Sequence, residues 1–202
     1  MKKLLLLVLL CVPTFLFAQY RIGQDIYGES AGDISGETVA LSNNGNIIAI
    51  GADYNSGNGT MSGHVRIYQM DSTSSSWVQL GQDMDGEAAY DMSGSWQGLS
   101  LNGGGTRVAI GAPYNDGTST SNTNDGHARV FEWNSISTSW VQLGQDIDGE
   151  AAGDESGFSV SLSLDGNTLA IGSTHNDDNG SESGHVRIYN YNGSSWTQLG
   201  QD

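Results

Sequence analysis

Three times along this chain a histidine stands two residues before an arginine: His64/Arg66, His127/Arg129 and His185/Arg187. Imidazole titrates near neutrality, so each pair could serve general acid–base chemistry. Ahead of each histidine lies a loop rich in side-chain oxygens: Asp53 and Asn55, then Asn115 and Asp116, then Asn176, Asp177 and Asp178. Such residues can hold a cation or a polar ligand. An Asn can equally fold onto its own backbone as an Asx-turn. Asn falls at the same place in all three loops, which favours the turn and leaves ligand or cation binding as the alternative. A second acidic series runs Asp25, Glu29, Asp33; then Asp83, Asp85, Glu87, Asp91; then Asp146, Asp148, Glu150, Asp154. Asp146-x-Asp148-Gly149-Glu150 spaces its oxygens plausibly but lacks the full calcium-loop pattern. The series reads as a solvated, charged rim.

Repetition weighs against catalysis. A reaction centre needs one asymmetric set of groups, whereas a packing or ion-pair contact is needed once per unit. No nucleophile elbow, phosphate loop, thiol pair or zinc-ligand motif is present. No residue is assigned a catalytic or metal-binding role, and the protein is expected not to be an enzyme.

These residues recur because whole units recur. Gly-Gln-Asp stands at Gly23–Asp25, Gly81–Asp83, Gly144–Asp146 and Gly200–Asp202, at intervals of 58, 63 and 56 residues. A fixed period of this size marks stacked supersecondary units, about 26–83, 84–146 and 147–202, none able to bury its apolar face alone. Val39-Ala40-Leu41-Ser42 and Val160-Ser161-Leu162-Ser163 alternate apolar and small polar residues, as half-buried strands do. Asn44-Gly45 and Asp165-Gly166 follow as tight-hairpin signals. Next come continuously apolar strands (Ile47–Ile50, Val108–Ile110, Leu169–Ile171), which should be the best buried. The His-x-Arg segments form third strands, with Val65 and Ile67 on one face and His64, Arg66 and Tyr68 on the other. Ser-rich turns lead to fourth strands carrying Trp77, Trp140 and Trp196, read as packing residues between units. Four antiparallel strands per unit and no helical periodicity give an all-β, β-propeller-type array of three four-stranded blades, partial or open.

Residues 1–18 read as a signal peptide. Lys2-Lys3 precede an apolar run, Leu4–Phe17, which is too short to span a bilayer, and Ala18 is the small residue before cleavage. Cys11 follows Leu10, which is too bulky for a lipid-attachment signal. The mature chain, 19–202, then has no cysteine and relies on no disulfide. Both lysines fall in the signal, leaving five arginines against 23 acidic residues in a chain of formal net charge −16. That balance excludes binding nucleic acid or an anionic membrane by counterion release. The expected location is secreted or cell surface, with no membrane span after signal cleavage.

The chain resembles the FG-GAP repeat family, whose repeats build the seven-bladed propeller of integrin α subunits. Gly157-Phe158 matches the first half of the motif and Gly111-Ala112-Pro113 the second. Other copies depart, as Gly36-Glu37, Gly94-Ser95, Gly51-Ala52-Asp53 and Gly172-Ser173-Thr174. The chain is more similar to bacterial exported variants with Gly-His-Val-Arg-Ile-Tyr strands than to the animal receptors. The resemblance implies a calcium loop between the two motif halves. Here that interval holds only Asn43–Asn46, Asn102–Gly105 and Leu164–Asn167, hairpins too short for a cation needing about six to eight oxygens. No cofactor is expected, and calcium in the other loops is left open.

Array and resemblance together imply a non-enzymatic, exported adhesion or recognition scaffold. It would bind a protein or glycan ligand at the cell surface through the loops Asn55–Gly63, Asn115–Gly126 and Asn176–Gly184. The alternative is the accessory propeller of a longer secreted hydrolase, and a third reading is a remnant of array shrinkage. Three blades cannot surround an axis, since propellers have at least about four. The sequence therefore leaves a longer array, self-association to close the ring, or open edges. The stop at Gln201-Asp202, where a further repeat would begin, favours a truncated array.

Overall fold

The computed structural model describes residues 21–117 and 123–201; the segment 1–18, read above as a signal peptide, lies outside them. The first blade comprises β1 (Val39–Leu41), β2 (Ile47–Ala52), β3 (His64–Asp71), β4 (Ser76–Gln79) and β5 (Met84–Asp85). The second comprises β6 (Leu99–Leu101), β7 (Arg107–Ala112), β8 (His127–Asn134), β9 (Ser139–Gln142) and β10 (Ile147–Asp148). The third comprises β11 (Ser156–Leu162), β12 (Thr168–Ser173), β13 (His185–Tyr191) and β14 (Trp196–Gln198). Every pairing within a blade is antiparallel, in the order first, second, third, fourth strand. No helix occurs among the described residues, and none is long and apolar enough to cross a membrane.

Register puts each histidine on the same rung. Ala52 pairs with His64, Ala112 with His127, and Ser173 with His185. The fourth strand is split: β4 pairs with the far half of β3, and β5 returns to pair Asp85 with His64. In the second blade β9 and β10 divide β8 in the same way, with Asp148 opposite His127. The intervening Gly-Gln-Asp bulges out of the ladder. The hairpin between first and second strands is longer than the two-residue form expected from Asn44-Gly45. Ser42 N–H donates to Ile47 O, which closes a loop over residues 43–46.

Blades stack front to back. Val65, Ile67 and Met84 on the front of the first blade pack on Leu99, Val108, Ile110, Phe131 and Trp140 of the second. Ala128, Val130 and Ile147 repeat this against Val160, Leu169, Ile171, Tyr189 and Trp196 of the third. Complete burial of one such Val or Ile contributes about 1.5–3 kcal/mol. Val65 and Ile67 are 0% exposed, whereas their third-blade counterparts Val186 and Ile188 are 61% and 42% exposed. The array is an open propeller with an uncovered front face.

The repeated tripeptide is the clip between blades. Gln82 donates through Nε2 to Trp140 O (2.8 Å) and accepts through Oε1 from Trp140 N–H (3.1 Å). The Trp140 indole N–H donates to Leu80 O at 2.8 Å. Gln145 and Leu143 hold Trp196 in the same manner, and Gln24 and Ile22 hold Trp77. Residues 21–25 form no strand. They hold the first blade as Leu80–Asp83 holds the second.

Candidate functional site

Loops between second and third strands, and connections from one blade to the next, share one end of the array. The Asx-turn expected at each loop is present. Asn55, Asn115 and Asn176 accept through Oδ1 from the N–H two residues on, at 2.8, 2.7 and 3.1 Å. Each amide also donates to a buried carboxylate of a connection: Asn55 to Asp33 (3.2 Å), Asn115 to Asp91 (3.0 Å) and Asn176 to Asp154 (3.1 Å). These three aspartates are therefore structural, not part of a solvated rim. Asp91 Oδ2 accepts the N–H groups of Glu87 and Ala88, and Asp33 and Asp154 accept one N–H each from the same turn. Every loop is pinned to the connection beside it.

The remaining predicted residues separate. Asp116 Oδ1 accepts from Thr123 and Asn124 N–H, and Asp177 Oδ1 accepts from Glu182 N–H, so both brace their own loops. Asp53 is buried beside Glu37; loss of solvent, reinforced by that neighbour, raises its pKa to about 7. Asp178 lies with His185 and Glu150.

The His-x-Arg pairs meet the acidic connections directly. His64 Nδ1 faces Glu29 Oε2 at 3.8 Å and Asp83 Oδ2 and Asp85 Oδ1 at 3.9 Å. His127 Nδ1 faces Glu87 Oε2 at 3.8 Å, and His185 Nδ1 faces Glu150 Oε2 at 3.9 Å. Burial lowers the pKa of His64, and that of His127 to about 4, so both are neutral imidazoles at ordinary pH. Burial together with neighbouring carboxylates raises Asp85, Glu87 and Asp148. The arginines bridge blades, as their repetition suggested. Arg66, Arg129 and Arg187 donate through Nη2 to Tyr27 O, Asp85 O and Asp148 O at 2.7–2.8 Å. Each guanidinium also lies 5.5–5.7 Å from the ring centre of Tyr68, Phe131 or Tyr189.

One feature of this end escaped sequence reasoning. Trp96 stacks on Phe158 (centroids 4.8 Å apart, planes at 13°) and meets the edge of Tyr114 at 5.5 Å. Tyr54, the counterpart of Tyr114, lines an open cleft of about 450 Å³ with Glu29, Asp33 and Asn55. Trp96 and Phe158 do not recur from unit to unit, so a reading based on repetition passes over them.

The calcium loop implied by the family resemblance does not fit. Asn44 Oδ1 accepts from Ser42 Oγ–H and Asn46 N–H, and Asp165 Oδ1 accepts from Ser163 Oγ–H and Asn167 N–H. Those bonds hold Asp165 down to about 2. The oxygens that would meet a cation close the turn instead.

Residues 147–189 match the family model described as FG-GAP repeat. A solved structure from Bacteroides uniformis, provisionally assigned as a 6-phosphogluconolactonase, is similar at 13% identity and a TM-score of 0.51, over 81% of this chain and 39% of that one. The β-propeller domain of the Trilobed protease from Pyrococcus furiosus aligns at 8% identity and a TM-score of 0.42, over 81% of this chain and 41% of that one. This chain thus spans about two fifths of each. At such identity the first likeness shows the fold alone. No curated protein matches the chain by sequence.

Proposed function

For a chain built of FG-GAP repeats, we propose the role of an exported, non-enzymatic recognition scaffold that binds a glycan through its loop end. The observation that carries this reading is the pinning of all three loops by Asn–Asp bonds beside an aromatic group of Trp96, Phe158 and Tyr114, with Tyr54 lining the cleft at the first loop. Aromatic faces cover the apolar faces of sugar rings, and fixed carboxylates and amides accept or donate to their hydroxyls. Loops fixed before contact lose little freedom on binding, which favours affinity. Export rests on the signal-like segment 1–18 and places the protein outside the cell or on its surface.

The test is binding of the mature chain to immobilised polysaccharides and whole cells. Shortening residues 55–63, 115–126 and 176–184 should abolish binding while the far-ultraviolet spectrum is unchanged. Retained binding by the folded, shortened protein refutes the assignment. Two further readings follow from the open front of the third blade. A second copy can seat its first blade there, because Val186, Ile188 and Leu199 match the residues that already accept a neighbour inside the chain. Alternatively, the repeats are the accessory propeller of a longer secreted hydrolase. Reading the gene past Asp202 separates them: a catalytic domain supports the hydrolase reading, and repeats alone exclude it.

A further inference from the structure

We propose that each blade carries a binding site for a divalent transition-metal ion, formed by its third-strand histidine and carboxylates from the flanking connections. Three groups of donor atoms lie within 4.8 Å of one another: Glu29, His64 and Asp83; Glu87, His127 and Asp146; Glu150, Asp178 and His185. The first two draw their parts from equivalent places. The glutamate comes from the connection entering the blade, and the aspartate is the last residue of the Gly-Gln-Asp that leaves it. The tripeptide thus has one role per residue, since Gly makes room for an indole, Gln clips the next blade and Asp reaches back to the histidine.

The imidazole itself points to a ligand. His127 is 1% exposed and its Nε2 is buried with no hydrogen-bond partner. Its one polar outlet is the Nδ1 edge facing Glu87, where 3.8 Å is too long for a hydrogen bond. In His185 both ring nitrogens lack a partner. An ion among Glu150 and Asp178 would give His185 Nδ1, which faces Glu150 Oε2 at 3.9 Å, the partner it lacks; the orphan Nε2 of His127 is on the other edge of its ring.

Distance and charge agree with this assignment. Zinc ligands stand about 2.0–2.2 Å from the metal, so neighbouring donors end up roughly 3.3–3.5 Å apart in a tetrahedral site. The 3.8–3.9 Å from His64 Nδ1 to Glu29, Asp83 and Asp85 needs a closure of a few tenths of an ångström, and the Glu29 and Asp83 oxygens, within 4.8 Å of each other, close by up to about 1.4 Å. All three side chains are partly exposed, and Asp83 meets the histidine through Oδ2 while its Oδ1 accepts from Gln79 Nε2 at 2.6 Å. Around His64 three carboxylates, Glu29, Asp83 and Asp85, meet two guanidiniums, Arg66 beside Glu29 and Arg129 on the Asp85 carbonyl, leaving an excess of negative charge that a divalent cation would offset. The arginines also divide the glutamates. Arg66, Arg129 and Arg187 approach Oε1 at 3.8, 3.4 and 3.6 Å and leave Oε2 turned to the imidazole. Such outer partners fix the direction of a metal ligand. Asn55 and Asn115 reach that Oε2 only at 3.5 Å, the limit of a hydrogen bond. A nitrogen donor beside carboxylates selects zinc-like ions over calcium, which takes oxygen.

The test uses the mature chain, stripped with a chelator and offered Zn²⁺, with Co²⁺ as a spectroscopic probe and Ca²⁺ as competitor. The expected result is one Zn²⁺ retained per cluster through dialysis, counted by native mass spectrometry, with a visible Co²⁺ band. Excess Ca²⁺ should displace less than a tenth of it. His127→Asn and Glu87→Gln should each lose one ion, while Asp71→Asn, at the far end of β3 from His64, should lose none. Should His127→Asn fail to fold, the half-exposed Glu87→Gln decides alone, its fold checked by circular dichroism. The proposal is overturned if no Zn²⁺ is retained at micromolar concentration, if folded Glu87→Gln keeps the full count, or if Ca²⁺ displaces Zn²⁺ as an acidic rim would allow.

Discussion

Gly81 and Gly200 share a backbone conformation and differ in what surrounds them, and that difference isolates the energy of the interblade clip. Their φ angles are +83° and +84°. A Cβ added to Gly81 would stand 2.8 Å from Trp133 Cζ3 and 2.9 Å from Trp140 Cδ1, whereas one added to Gly200 meets nothing within 4 Å. Placing an L-residue in this left-handed region costs about 1–2 kcal/mol at either position. Crowding a packed site costs roughly 1–3 kcal/mol more, and falls on Gly81 alone. Gly81→Ala should therefore destabilise by roughly 2–5 kcal/mol, and Gly200→Ala by about 1–2 kcal/mol. For a chain of this size each kcal/mol is about 2–4 °C in Tm, so the two variants should melt several degrees apart. Thermal melts followed by circular dichroism and by tryptophan fluorescence read the difference. Equal shifts would show that Gly81 is required for its φ alone and that the indole does not seat against it.

Gln82→Ala strands both the N–H and the C=O of the buried Trp140 and should cost about 1–3 kcal/mol in urea unfolding; Gln24→Ala, which releases the more exposed Trp77, should cost less. Asp53 binds its proton more tightly folded than unfolded, so stability is greatest below about pH 4 for this group and is lost as pH rises to about 7. Asp53→Asn should flatten Tm between pH 5 and 8, and an unchanged slope would assign the dependence to other groups. If chains associate through the third blade's front, as proposed, Val186→Lys combined with Ile188→Lys should leave the Tm of the dilute chain unchanged and abolish the association in light scattering. Association undiminished in that variant would move the contact elsewhere.

The strands were legible because their periodicity is local. Alternation at Val39–Ser42 and Val160–Ser163, and the apolar runs behind them, mark β1, β2, β11 and β12 without reference to any neighbour. The burial of Trp140 and Trp196 followed from one large apolar residue per unit. What escaped depends on partners far apart in sequence. Asp33, Asp91 and Asp154 look like rim charges until Asn55, Asn115 and Asn176 are brought over them. Glu29 and Asp83 meet His64 only because β5 returns to pair at its rung. A signal was present in Gly-Gln-Asp itself: a turn explains the Gly, yet nothing local explains Gln and Asp in all four copies. Of the fourth copy, the described residues Gly200 and Gln201 are exposed, with no further blade over them among the described residues.

Hydrogen exchange at amides bonded only across blades bears most directly on the reading of modules that complete one another. Gly103 N–H bonds Leu164 O, and Trp140 N–H bonds the Gln82 side chain. Gly103 and Trp140 have their acceptors in the neighbouring blade, and both should exchange as slowly as the amides of β2 and β7. Exchange of both at the free-peptide rate, with the strands still protected, would mean that the blades fold side by side without holding one another.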